Sequence, residues 1–482
     1  MAKKKAPTRK PRKSGATPSD SRLVVVANRL PVKRVQEGDR QRWETSPGGL
    51  VSAVAPFLKE RGGAWIGWDG TGRDLAHGSP VAPFTHDGIN IRPVGLSYAE
   101  LDAFYHGFSN ATIWPLYHDS IRAPQFHRRW WHPYREVNMR FAQAAVETAG
   151  EHDSIWVHDY QLQLVPGYVR MHRPKAHIGF FLHIPFPPEE LFAKMPWRAA
   201  ILENMLGADV VGFQTKLAAN NFARAARMYT SAKGSDTQLQ FEGRKVRVNA
   251  YPISIDFEHY EQSARTPEVQ EHVAKVREDL GGRRIVLAVD RLDYTKGIEF
   301  RLRAFEELLR RGRIPPEGVV FVQIAVPTRE KVDEYADLRS DVNEHVGRIN
   351  GTYGAIGLTP VHYIYNSVPF TELMAMYAAA DVLMVTPLRD GMNLVAKEYV
   401  AARSDNSGVL VLSEFAGAAL EMTQAVTVNP YDVDGMADAL ERALSMDPGE
   451  GKRRMAALRR VVQRHTVYDW AGAFLGALGE NE

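Results

Sequence analysis

Arg291-Leu292-Asp293-Tyr294-Thr295-Lys296-Gly297 follows the apolar run Ile285 to Val289 and opens a segment in which Ile298, Leu302, Phe305, Leu308 and Leu309 recur at helical spacing. A short β-branched run followed by a helical period predicts a buried strand, a turn and an amphipathic helix, so Arg291 and Lys296 fall in a strand-to-helix turn. In α/β proteins such turns hold anions: an arginine fork and a lysine point charge beside free helix N–H groups suit a diphosphate. Taken alone, the segment reads equally well as two cations on a solvated turn.

The surroundings decide between these readings. Short apolar runs alternate with helical segments along the chain: Leu23 to Val26, Ile155 to Val157, His177 to Leu182, Asp209 to Phe213, Val246 to Asn249, Ile285 to Val289, Val319 to Gln323, Val361 to Tyr363, Val382 to Val385, Val409 to Leu412 and Val426 to Val428. Most lack polar alternation, as parallel strands buried on both faces do, and segments such as Leu217 to Ala232 and Pro369 to Ala380 complete βα units. A charged helical stretch, Glu268 to Leu280, ends in Gly281-Gly282 before the rhythm restarts. The expected organisation is a tail (1–20), a Rossmann-like N-terminal domain (21–255) and a Rossmann-like C-terminal domain (256–482), the final helical segment being a candidate to pack back on the first. Two doubly wound α/β domains facing each other enclose a cleft at the carboxyl ends of their strands.

Composition agrees. A chain of 482 residues exceeds a single core, and 44% hydrophobic with 24% charged residues is ordinary for a globular protein. No apolar run approaches the roughly 20 residues of a membrane span, and no short apolar core with a small-residue cleavage site follows the N-terminus, so a cytoplasmic location is expected and no membrane partner. With no cysteine, disulfides, thiolate metal sites and a cysteine nucleophile are excluded. Residues 1 to 20 carry seven Lys and Arg against Asp20, net +6, so the rest holds −3 of the total +3. The tail reads as disordered and solubilising, and no nucleic-acid partner is expected.

The residues at the predicted strand ends sharpen the cleft. Val382 to Val385 runs into Thr386-Pro387-Leu388-Arg389-Asp390-Gly391-Met392-Asn393-Leu394-Val395-Ala396-Lys397-Glu398. The first amides of the following helix, Asn393, Leu394 and Val395, would face an anion, and Glu398 shares a face with Leu394 for ribose hydroxyls. Asp390 reads either as a helix cap or as a ligand for sugar hydroxyls beside a diphosphate. In the N-terminal half, Asn28-Arg29-Leu30-Pro31 and Ser46-Pro47-Gly48-Gly49-Leu50 follow the first strand without a Gly-x-Gly-x-x-Gly fingerprint, which argues against a dinucleotide. Arg29 is a candidate for a separate phosphate. Tyr105 and Trp114 are aromatics with polar handles, whereas Phe104 and Phe108 read as core. Asp159 and His183 end the strands Ile155 to Val157 and His177 to Leu182.

Together these motifs, with Trp156-Val157-His158-Asp159-Tyr160 and His183-Ile184-Pro185-Phe186-Pro187, resemble the trehalose-6-phosphate synthases, retaining glucosyltransferases of glycosyltransferase family 20 and GT-B type, from about Leu23 to Phe474. The resemblance implies transfer of glucose from a nucleotide-diphosphate glucose to glucose 6-phosphate by front-face attack. It assigns Arg291 and Lys296 to the donor diphosphate, Asp390 to the donor glucose, Glu398 to the ribose, the amides of Leu394 and Val395 to phosphate, and Gly48 with Gly49 to a mobile loop over the donor. It gives Arg29, Tyr105, Trp114 and Arg329 to the acceptor, Asp159 to acceptor hydroxyls and His183 to the transferring glucose, so that Arg291, Lys296, His183 and Asp159 form the catalytic set. Arg329 rests on a looser match, since Glu330 stands where the family commonly has glycine. The resemblance also implies a homo-oligomer and no cofactor. Asp432-Val433-Asp434 resembles a metal-binding Asp-x-Asp but reads as a helix cap, so no metal site is expected. Other acceptors (glycerol 3-phosphate or a pseudo-sugar phosphate), a non-catalytic regulatory homologue and a nicotinamide-dependent dehydrogenase are the competing readings. The donor base stays open, and without a further α/β unit the product is expected to remain phosphorylated.

Overall fold

The computed structural model describes residues 22–37, 40–46, 49–73, 81–120, 122–329 and 333–479. Each predicted strand is present, most extended by one to three residues, and these strands sort into two sheets. In the first, Arg244–Ala250, Val210–Phe213, His177–Leu182, Ser154–His158, Leu23–Arg29, Ala64–Trp68 and Ile89–Pro93 lie side by side in parallel. Antiparallel edges finish it: Gln238–Phe241 with Lys233–Gly234 at one side and Phe84–His86 at the other. The second sheet is parallel throughout, in the order Val361–Ile364, Val319–Val326, Arg284–Arg291, Val382–Val385, Val409–Ser413, Val426–Val428.

Burial follows from the residue pattern. Along Leu23–Arg29, Val24 and Val26 feed one core and Leu23 and Val25 another, so both faces of the strand are covered, as a doubly wound sheet requires. Only Arg29, at the carboxyl end, emerges. The same end of each sheet carries the polar residues, which fixes where a ligand can approach.

Two connections join the halves. The segment Tyr251 to Asp256 leads from the first sheet to helix Phe257–Ala264, and the last helix, Val467–Gly479, returns from the second half to the first sheet. There Phe474 stacks on Trp156 with ring centroids 4.6 Å apart, and Trp470 sits 5.1 Å from the same indole. Gly179 and Gly212 make room, since a Cβ on either would lie within 2.7 Å of the Phe474 ring. The helix thus buries two large aromatics in a slot that larger strand residues would close; burial of each such side chain contributes about 1.5 to 3 kcal/mol.

Candidate active site

The turn after strand Arg284–Arg291 is built by Asp293. Its Oδ1 accepts from the Thr295 amide (3.0 Å) and hydroxyl (2.7 Å), closing the short 3₁₀ turn Tyr294–Lys296. Gly297 follows at φ 65°, a left-handed conformation glycine adopts without strain, and a Cβ there would lie 2.3 Å from the Thr386 carbonyl. Helix Ile298–Arg310 then begins. Arg301 anchors it from below, with Nη1 2.5 Å from Asp290 Oδ2 in a fully buried pair.

Lys296 does not extend into solvent, which removes the solvated-turn alternative for this residue. Its Nζ donates to Asp390 Oδ2 at 2.5 Å, and Asn393 Nδ2 donates to the same oxygen at 3.2 Å. Burial pushes the Asp390 carboxyl up, but the Lys296 ammonium more than offsets this and holds it below its ordinary value. Asn393, at φ 76°, makes no side-chain cap, so the first amides of helix Leu394–Ala402 are not capped by a side chain among the described residues. One turn on, both Glu398 oxygens are held, by Tyr260 OH (3.1 Å) and Tyr377 OH (2.9 Å), and burial raises its pKa.

Across the cleft, Trp114 Nε1 donates to Asp293 Oδ1 at 3.3 Å, a bond between the two halves. Arg329 completes the cluster: Nη1 donates to Asp293 Oδ2 (2.8 Å) and to Tyr335 OH, Nη2 donates to Tyr160 OH (3.1 Å), and the guanidinium lies 3.9 Å from the Trp114 ring centroid. Arg329 is buried at φ 50°, strain that surrounding contacts must sustain. Burial pushes the Asp293 carboxyl up, but Arg329, Arg291 and Lys296 outweigh it and hold it well below the usual carboxylate range. Arg291 lies 5.5 Å from the same Trp114 ring. Nearby, Arg29 stacks 4.6 Å over Trp68, whose ring centroid is 5.7 Å from that of Tyr105.

Asp159 and His183 join these groups. Asp159, at φ 74°, accepts the His183 amide at 3.2 Å, and burial lifts its carboxyl to about 6 against the opposing charges of Arg291 and Arg329. The His183 carbonyl touches the other half: a Cβ on Gly391 would lie 2.3 Å from it. Gly391 therefore serves close approach of two backbones.

The structure thus brings Arg291, Lys296, Asp390, Asn393, Leu394, Val395 and Glu398 of one half towards Arg29, Tyr105, Trp114, Asp159 and His183 of the other, with Arg329 bridging. Gly48 lies outside the described residues; Gly49 opens helix Gly49–Arg61. Asp293 had no role in the sequence reading, though it stands between the two cations of the quoted motif. Tyr160, which ties Arg329 to Asn110, stands in the sequence only as the end of the motif Trp156 to Tyr160, and His118, whose ring lies tilted 4.1 Å from that of Trp114, carries no sequence signal. Asp432 caps helix Val433–Leu444 by accepting the Gly435 amide at 2.9 Å, and Asp434 pairs with Arg311.

The sequence pattern of glycosyltransferase family 20 matches residues 21–480. The chain belongs to glycosyltransferase family 20. Its two facing Rossmann-like sheets are the GT-B arrangement, and the protein is a glycosyltransferase. Among relatives of this family 20 chain, the trehalose-6-phosphate synthase of Mycolicibacterium gilvum is 52% identical over 472 residues, covering 95% of this chain and 94% of that one. The α,α-trehalose-phosphate synthase (UDP-forming) from Burkholderia vietnamiensis superposes with a TM-score of 0.88 at 38% identity, covering 96% and 99% of the two chains. The UDP-forming enzyme from Burkholderia xenovorans in complex with glucose 6-phosphate gives 0.87 at 37%, covering 95% and 100%.

Proposed function

We propose that this chain transfers glucose from a nucleoside-diphosphate glucose to glucose 6-phosphate, giving α,α-trehalose 6-phosphate with retention, and that the N-terminal half (21–255) takes the acceptor and the C-terminal half (256–482) the donor. The observation that carries this is the gathering of cations where the two halves meet: Arg291 and Arg329 share the Trp114 ring, and both act on Asp159, which accepts the His183 amide. Lys296 stands with Asp390 beside the N-terminus of helix Leu394–Ala402, and Arg29 over Trp68.

On this reading the leaving diphosphate lies against Arg291, Lys296 and the amides at Leu394 and Val395, charges and dipoles fixed before the negative charge develops. Glu398 receives the ribose and Asp390 the glucose hydroxyls. In front-face transfer the donor C1–O bond breaks as the acceptor's anomeric oxygen bonds to C1, and the acceptor proton passes to the departing phosphate oxygen. No carboxylate nucleophile is needed, and the oxocarbenium character of the sugar is met by groups already aligned. Arg29 and Arg329 hold the acceptor phosphate, Tyr105 and Trp114 its ring face, and Asp159 its hydroxyls. Ordinary cytoplasmic metabolites supply both substrates, and we place the enzyme there as a homo-oligomer.

A panel of UDP-, ADP- and GDP-glucose with glucose 6-phosphate, following nucleotide release and disaccharide phosphate, tests the reading and selects the donor base. Failure of all three donors would refute it, and turnover with glycerol 3-phosphate in place of glucose 6-phosphate would reassign the acceptor.

A further inference from the structure

The His183 ring is held at both nitrogens, and the identity of its partners fixes where its proton lies. Gln214, buried just beyond strand Val210–Phe213, accepts the Ile253 amide through Oε1 at 2.9 Å. A backbone N–H only donates, so this bond orients the amide and turns Nε2, a donor, towards His183 Nδ1 at 3.4 Å. Ile253 is itself fixed from the other half, because its carbonyl accepts Lys397 Nζ at 2.9 Å. His183 Nε2 meets His158 Nδ1 at 3.2 Å, and His158 Nε2 is buried without a hydrogen bond among the described residues. Burial pushes His183 down to about 3 and His158 well below its ordinary value, so each neutral ring carries one proton.

We propose that Gln214 is a positioning residue that fixes His183 as the Nε2–H tautomer, so that the ring offers a hydrogen-bond donor to the sugar being transferred, with His158 as its acceptor while no sugar is bound. This rests on the reading above that His183 meets the transferring glucose. Because Nδ1 must accept from Gln214, the proton goes to Nε2, the nitrogen that faces His158 Nδ1. A sugar hydroxyl arriving at Nε2 exchanges one acceptor for another, and the ring need not change tautomer during turnover. The Gln214 amide in turn is set by Ile253, in the connector between the two halves, so the tautomer depends on a backbone that both halves grip.

The test is long-range ¹H–¹⁵N NMR on protein labelled at histidine, with His183 among the sixteen histidines assigned by its loss in His183→Gln. In the substrate-free wild type, His183 Nε2 is expected to be protonated and Nδ1 bare; a protonated Nδ1 overturns the proposal without any variant having to fold. In Gln214→Leu the two nitrogen shifts are expected to move towards a tautomer average and kcat to fall about tenfold, with both KM values within about twofold of wild type. Wild-type tautomer or wild-type kcat in that variant also overturns it. A protein with the Nε2–H tautomer that transfers no glucose to glucose 6-phosphate would refute the proposed function and leave the tautomer assignment standing.

Discussion

Lys296 Nζ stands 2.5 Å from Asp390 Oδ2, and the two side chains are only 11% and 15% exposed. A buried pair of this kind couples stability to function, because removing one partner strands the other charge. Lys296→Ala is therefore expected to lose turnover and also about 3 to 5 kcal/mol of stability. The double variant Lys296→Ala with Asp390→Asn is expected to regain most of the stability and none of the activity. Urea unfolding set beside nucleotide release separates the two effects; recovery of activity in the double variant would make the lysine purely structural.

Gly391 tests the contact between the halves. Its φ is not left-handed, so alanine meets no backbone strain there, only the His183 carbonyl 2.3 Å from the new Cβ. Relief requires the two backbones to part by the better part of an ångström, next to both Asp390 and His183. Such displacement is expected to lower kcat by about a hundredfold, with a smaller change in melting temperature. Steady-state kinetics and a thermal melt decide.

Arg329 matches the family motif loosely, with Glu330 in place of glycine, yet the structure gives it a fork: Asp293 and Tyr335 on one nitrogen, Tyr160 on the other. Lysine keeps the charge but cannot span both sides or stack flat on Trp114. Arg329→Lys is expected to raise the KM for glucose 6-phosphate about tenfold or more, with the donor KM little changed. An equal rise in both would place Arg329 in the closure of the cleft instead of the acceptor site.

The parts legible in the sequence share a physical origin. Central parallel strands are short apolar runs because both faces are covered, so Leu23, Ile155, His177 and Ile285 each announced one. Ala64–Trp68 was missed because its Gly and Trp blur a strand pattern, and the hairpin Val32–Glu37 with Arg40–Thr45 because it is polar. The segment Leu101–Ile113 winds as a π-helix, whose wider turn a 3.6-residue period does not detect. Individual donors and acceptors at strand ends were visible. What was not visible is who binds whom: the partners of Asp293 lie 36, 42 and 179 residues away in the chain.

Asp432 offers a test of the metal question. Its carboxylate caps helix Val433–Leu444 through Gly435 and so has a structural use independent of any cation. Asp432→Ala is expected to cost about 1 kcal/mol of stability and leave kcat unchanged, and EDTA treatment is expected to leave turnover unchanged in both proteins. Reversible loss of activity on chelation, restored by a divalent ion, would contradict this.

Asp159 gives a pH signature with a definite sign. Burial raises its folded-state pKa to about 6 from an ordinary 3.8, so between these values the folded state holds a proton that the unfolded chain has released. Stability contributed by the neutral carboxyl is complete below pH 3.8 and is lost as pH rises through 6. Asp159→Asn keeps an acceptor for the His183 amide but does not ionise. The stability of the variant relative to wild type is therefore expected to move in the variant's favour by about 1 to 3 kcal/mol between pH 4 and pH 7. Titrations elsewhere in the chain cancel in this difference. Urea unfolding of both proteins at several pH values measures it, and a difference that does not vary with pH would mean that Asp159 ionises in the fold as it does in the unfolded chain.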